Sequence, residues 1–68
     1  MLSHKVLVLH ALRCAVICIR VDELRHEVHL RNLLQYHSIV DSLSRIFAPG
    51  ERTMVLAENS RYIHRVFA

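Results

Sequence analysis

Apolar residues are concentrated in the first third of the chain, and polar residues interrupt them only at intervals. Aliphatic and β-branched side chains fill Lys5 to Leu9, a pattern that is typical of a short buried strand. The continuation from Ala11 to Ile19 is equally apolar, and its periodicity does not distinguish a strand from a buried helix. The pattern therefore predicts one N-terminal strand, followed by a segment of undecided structure.

A helix is the clearest element that the pattern predicts. Asp22 is a favourable N-cap residue, and Glu23 places negative charge in the first turn after it. The apolar residues that follow form a ragged helical stripe of Leu24, Val28, Leu30, Leu33 and Leu34. Because no Gly or Pro interrupts this run, the sequence predicts a helix from Asp22 to Tyr36.

An antiparallel hairpin is predicted around the only Pro and the only Gly of the chain. The segment 39–47 reads as an extended strand, and 53–56 reads as the strand that returns. Pro49 and Gly50 suit the two central positions of a type II turn, since Pro fixes φ and Gly accepts a positive φ. A linker and a short helix from Arg61 to Phe67 complete a predicted α+β order.

The composition is that of one small globular domain. The chain has 68 residues, of which 53% are hydrophobic and 22% are charged, which excludes a two-lobed enzyme, a disulfide scaffold and a repeat array. The net charge of +3 comes mainly from scattered arginines, so no nucleic-acid partner is expected. Charged residues interrupt the apolar run 6–21, so neither a membrane span nor a signal peptide is expected. We expect a soluble, intracellular chain.

Cysteine and histidine are the residue types that most often bind zinc. Cys14 and Cys18 are four residues apart, and His10 precedes Cys14 by another four, but a zinc site requires a further ligand. His26 and His29 have no thiol or carboxylate placed to complete a site with them. The sequence therefore predicts no metal site, and it predicts that the two thiols are small buried side chains in a reducing compartment.

Five stretches carry a resemblance to a known family. They are LSHKVL at 2–7, LRHEVHL at 24–30, YHSIV at 36–40, RIF at 45–47 with MVL at 54–56, and ENS at 58–60 with RVF at 65–67. In this order they resemble, in a eukaryotic protein kinase, the end of the third strand, the regulatory helix, the family's His-Pro-Asn-Ile-Val segment, the fourth and fifth strands, and the hinge with the first helix beyond it. Together these segments look like part of the N-terminal lobe. The resemblance is closest to Aurora-type serine/threonine kinases, and it implies a partial kinase N-lobe.

The resemblance implies a set of ATP-binding residues. By resemblance, Lys5 would hold the phosphates of ATP, and Glu27 would be its ion-pair partner. Leu56 would stand at the gatekeeper position, while Ala57 and Glu58 would form the hinge that binds adenine through backbone groups. No metal ligand is carried over to this chain.

The chain lacks the motifs that phosphoryl transfer requires. It has no Gly-rich loop, no catalytic loop and no Asp-Phe-Gly motif, so a kinase fragment of this kind is expected to be inactive as a transferase on its own. The main hypothesis is a truncated or degenerate serine/threonine kinase-like fragment that forms one partial domain over 1–68.

Two other function classes are also compatible with the sequence. A small interaction module would dock on a protein partner through the helix 22–36 or through exposed strand edges. A membrane-surface peptide would use Val6 to Ile19. The sequence specifies no substrate, no particular partner and no oligomeric state.

Overall fold

Three α-helices make up the domain. The computed structural model describes residues 3–68, in which α1 is His4–Leu24, α2 is Leu30–Ile46 and α3 is Pro49–Phe67. No strand occurs within that range. The domain measures 37 × 23 × 22 Å, and its long dimension follows from α1, whose 21 residues span about 30 Å.

Both ends of α1 are defined by local hydrogen bonds. Ser3 is the N-cap, and its hydroxyl accepts a hydrogen bond of 3.2 Å from the backbone N–H of Val6. At the other end, the N–H of Glu27 donates to the carbonyl of Asp22, and the N–H of His26 donates to the carbonyl of Glu23. These two bonds form a Schellman motif, which ends α1 within the segment that was predicted to be one helix.

The turn between α1 and α2 is held by the side chain of Asp22. Asn32 Nδ2 donates to Asp22 Oδ2 at 2.9 Å, and His29 Nδ1 lies 2.9 Å from Asp22 Oδ1. These contacts, with Asn32 the larger cause, lower the pKa of the Asp22 carboxyl below its usual value. Asp22 therefore connects the end of α1 to the first turn of α2, instead of capping the start of a helix.

Pro49 and Gly50 begin α3 and do not form a hairpin turn. Pro49 occupies the first helical position. An N–H at this position would have no acceptor within the helix, so the missing N–H of proline costs no hydrogen bond. Glu51 accepts a hydrogen bond of 3.2 Å from the N–H of Ala48 and forms an ion pair of 3.0 Å with Lys5 Nζ. The Lys5 ammonium and this N–H lower the pKa of the Glu51 carboxyl. The start of α3 is thereby joined to the start of α1.

α1 is the central helix, because it packs against both other helices while α2 and α3 touch each other only slightly. The core cluster contains Leu12 of α1 and Leu43 of α2, together with Phe47 just beyond α2. Ala15 and Val16 are buried further along α1. The core therefore depends on one face of α1.

Asn59 lies in the middle of the inward face of α3 and is only 8% exposed. Its amide Nδ2 donates a hydrogen bond of 3.0 Å to the hydroxyl of Tyr36, which links α3 to α2. The other end of the amide, Oδ1, is buried without a hydrogen-bond partner in the described part of the chain. A polar side chain thus occupies a position where the packing would suit an apolar one.

The α+β prediction is wrong, and so is the resemblance to an Aurora-type kinase N-lobe, because that fold requires a β-sheet. Lys5 to Leu9 lies in α1, the predicted strand 39–47 lies almost wholly in α2, and the predicted strand 53–56 lies in α3. The local β propensity of these short runs is weaker than the gain from long helices that bury a common core. Leu2, the first residue of the resemblance, lies outside the described residues.

Two predicted helices have other boundaries in the structure. The predicted helix Asp22–Tyr36 is divided by a turn at 25–29, since its first residues end α1 and its later ones belong to α2. The predicted short helix Arg61–Phe67 is the second half of α3, which begins at Pro49. In both cases the sequence indicates helix, but the predicted helix boundaries differ from those in the structure.

Candidate functional site: the outer face of α1

The side of α1 that faces away from the core is apolar along most of its length. Every seventh position on this side is apolar, and the residues three positions further on complete a regular a/d heptad pattern. We call these six residues the α1 seam: Leu7, His10, Cys14, Ile17, Val21 and Leu24. Such a pattern is the one by which one helix packs along another.

The seam is open to solvent in the described part of the chain. Leu7 is 50% exposed, Ile17 is 42% exposed and Leu24 is 63% exposed. Cys14 and Cys18 are exposed as well, so the prediction of buried thiols is wrong. A contiguous exposed apolar face commonly marks a binding surface.

Arginines border the seam on the side of α3. Arg13 and Arg20 each stand immediately before a seam residue and stack on aromatic rings of α3. The Arg13 guanidinium carbon is 5.1 Å from the ring centroid of Tyr62, and that of Arg20 is 5.4 Å from the ring of Phe67. These cation–π contacts hold both guanidinium groups along the junction of α1 and α3.

Not all of the positive charge along this border is neutralised by ion pairs within the domain. Arg20 Nη1 pairs with Glu23 at 3.0 Å, whereas Arg13 and Arg65 form no ion pair within residues 3–68. Arg65 lies 5.9 Å from the Tyr62 ring that Arg13 also contacts. Glu58 is an acid on this side, and with Arg13 it lines a groove of about 310 Å³ between α1 and α3.

The structure does not bring together Lys5 and Glu27, which the kinase resemblance paired. Lys5 lies in the first turn of α1, where it pairs with Glu51 and its ammonium is 5.4 Å from the ring centroid of Phe47. Glu27 lies beyond the far end of α1, about 30 Å away by the helix rise. Its Oε2 is 3.8 Å from Nε2 of His29.

The residues assigned to the adenine hinge lie within a helix. Leu56, Ala57 and Glu58 are consecutive residues of α3, where intrahelical bonding engages backbone N–H and carbonyl groups. The assignment of ATP contacts to these residues and to Lys5 depended on the kinase resemblance, and it stays an untested prediction.

The described residues contain neither a metal-ligand cluster nor a bilayer-spanning helix. Between residues 3 and 68, no three side chains of His, Cys, Asp or Glu are grouped so that they could hold a metal ion. Over the same range, no helix is both long enough and apolar enough to cross a membrane. The seam is therefore the feature of this domain that most needs a functional explanation.

The sequence prediction did not identify the seam, because Lys5 to Leu9 was interpreted as a strand and Ala11 to Ile19 was undecided between a strand and a buried helix. One signal was present: Leu7, Cys14 and Val21 are spaced by seven, which is a helical and not a strand period. The run 6–21 also supplies the residues that face the core, so its hydrophobicity alone could not separate a buried face from an exposed one.

Comparisons with known proteins give no family for this chain. No protein-family model, no curated protein and no solved structure matches it. The function therefore has to be inferred from the seam and its border.

Proposed function

We propose that this domain is a protein-interaction module that binds a helix of a partner protein along the α1 seam. The observation that supports the proposal is that α1 is apolar on two opposite faces, of which the domain itself packs only one. Covering the second face would remove apolar surface from water at about 25 cal/mol per Å². The docking element is thus α1, and not the segment 22–36, which a turn divides.

A helix is the partner element that fits the seam best. The seam runs from Leu7 to Leu24, which is about 26 Å along the helix axis, or nearly five turns. Its residues recur with the heptad period, which a partner helix can follow with side chains inserted between them.

Another group of exposed apolar residues lies near the α1–α2 turn. Val28 is 81% exposed, Leu30 is 65% exposed and Leu34 is 60% exposed. Only Leu30 and Leu34 share a helix face, because Val28 lies in the turn. The seam is longer than this group, and its residues are more regularly spaced. We therefore place the docking surface on α1.

A synthetic helical peptide tests the proposal. The probe has 21 residues, with Leu at its a and d positions and Gln at the positions that flank them, and its binding is measured by calorimetry. Ile17→Gln should weaken this binding by about tenfold, because an amide then replaces an apolar side chain at the middle of the seam. Circular dichroism checks that the variant remains helical.

Met54→Gln is the matched control. Met54 is 69% exposed on α3, so the substitution removes a comparable apolar side chain outside the seam. We expect its affinity for the peptide to stay within about twofold of the original. Failure of the unaltered domain to bind the peptide, or an equal loss in both variants, would refute the proposal.

A further inference from the structure

We infer that the partner of the α1 seam is an acidic amphipathic helix. The inference rests on the proposed function and adds the chemistry of the partner. It is carried by the distribution of charge around the seam, which is complementary to acidic residues. It also depends on the poor fit of a second copy of this chain.

The residues that a docked helix would contact include cations but no carboxylate. In the heptad pattern these residues occupy positions a, d, e and g, which are twelve residues between 6 and 25. Arg13, Arg20 and Arg25 are among them, and none of the twelve is Asp or Glu. Charges at positions e and g set the choice of partner in paired helices, so a partner with Glu or Asp at these positions is favoured.

Two of these arginines are held in position before any partner arrives. Arg13 stacks on Tyr62 and Arg20 stacks on Phe67, so each gives up less side-chain freedom when it forms an ion pair. Arg65 approaches Tyr62 as well and extends the basic border onto α3. Glu58 lies on the same side, and Glu23 is paired with Arg20, yet the border keeps an excess of arginine.

A second copy of this chain fits the seam poorly. In an antiparallel pair the g positions face each other, so Arg13 and Arg20 would meet the same arginines of the other copy. In a parallel pair the g positions face the e positions, so Arg20 would meet Arg25 of the other copy. Arginine therefore faces arginine in both arrangements, and this repulsion opposes dimerisation. An acidic helix would instead place carboxylates opposite the same arginines.

Three peptides that differ only in charge test the inference. They share Leu at a and d and carry Glu, Gln or Lys at e and g. At low salt we expect the Glu peptide to bind about tenfold more tightly than the Lys peptide, because several weak ion pairs act together. The difference should largely disappear at 1 M salt, where the screening length is about 3 Å.

An arginine variant locates the effect on the border. Arg13→Gln should weaken binding of the Glu peptide by about threefold and leave binding of the Gln peptide unchanged. Arg45→Gln is the control, since Arg45 is an exposed cation in the last turn of α2. It changes the net charge equally but lies on a different helix, and the Glu peptide should bind it as before.

The outcomes separate this inference from the proposed function. If the Gln peptide binds as tightly as the Glu peptide at low salt, the acidic partner is refuted while the helix-binding module stands. If none of the three peptides binds, both are refuted. If anionic phosphatidylserine vesicles bind the domain and displace the bound Glu peptide, the seam is a membrane-contacting surface and the acidic helix is refuted. If the Glu peptide protects the exposed Cys14 and Cys18 from alkylation at a lower concentration than the Gln peptide, the result supports the inference.

Discussion

His26 shows how a single residue determines where a helix ends. Its φ is 55°, in the left-handed region, and it stands at the position of the Schellman motif that glycine most often occupies. A non-glycine residue in this conformation costs about 1 kcal/mol. The hydrogen bonds from His26 and Glu27 back to α1, together with the contacts of Asp22, offset that cost.

Replacing His26 by glycine should therefore stabilise the domain. We expect His26→Gly to raise the free energy of unfolding by about 0.5–1 kcal/mol, because glycine adopts a positive φ without steric cost. Urea unfolding followed by circular dichroism measures the change. His37→Gly is the matched control within α2, where it should lower stability by about 1 kcal/mol. Equal destabilisation by both variants would contradict this account of the turn.

At the scale of whole elements, helical content was predictable in part, and helix boundaries were not. The stripe after Asp22 indicated one helix, which the structure shows for 30–36 but not for the turn at 25–29, and the signal near Arg61 lies in the second half of α3. The boundary at His26 had no sequence marker, because the residue there is not glycine. Pro49 and Gly50 suit both a type II turn and the start of a helix, and the local bond from the N–H of Ala48 to Glu51 and the Glu51–Lys5 ion pair favour the second.

The candidate site was less predictable than the fold. Lys5 to Leu9 has strand propensity, yet it belongs to a helix in which apolar residues serve two surfaces. Leu12 faces the core, whereas Ile17 faces solvent, and both are equally apolar in the sequence. Only the positions of α2 and α3 distinguish the packed face of α1 from the seam.

One substitution on the inward face of α3 should improve the packing of this helix against the rest of the domain. Asn59→Leu removes a buried amide oxygen that has no hydrogen-bond partner, and the hydroxyl of the half-buried Tyr36 is then free to bond water. We expect the free energy of unfolding to rise by about 1 kcal/mol, measured by urea titration. Ser60→Leu, at the exposed neighbouring position, should change it by less than about 0.5 kcal/mol. A loss of stability in Asn59→Leu alone would show that the bond to Tyr36 outweighs the unpaired oxygen.

At the scale of the whole molecule, the domain buries few side chains completely. Among residues 3–68 the buried apolar residues are Leu12, Ala15, Val16, Leu43 and Phe47, and only Leu12, Val16 and Leu43 of these are fully enclosed, which is a small core even for a chain of this length. A partner that binds the folded domain and not the unfolded chain raises its free energy of unfolding by RT ln(1 + L/Kd), where L is the concentration of free partner. Docking along the seam would enclose α1 on both faces, so partner binding and folding stability are coupled.

The central position of α1 also sets the order in which backbone amides become accessible to exchange with solvent deuterium. Because α2 and α3 touch only slightly, α3 can open from α1 while the α1–α2 pair keeps its contacts. We expect amides in the middle of α3 to exchange faster than those around Leu12 and Leu43, as measured residue by residue by NMR under native conditions. Equal rates in all three helices would instead show that the domain opens only as one cooperative unit.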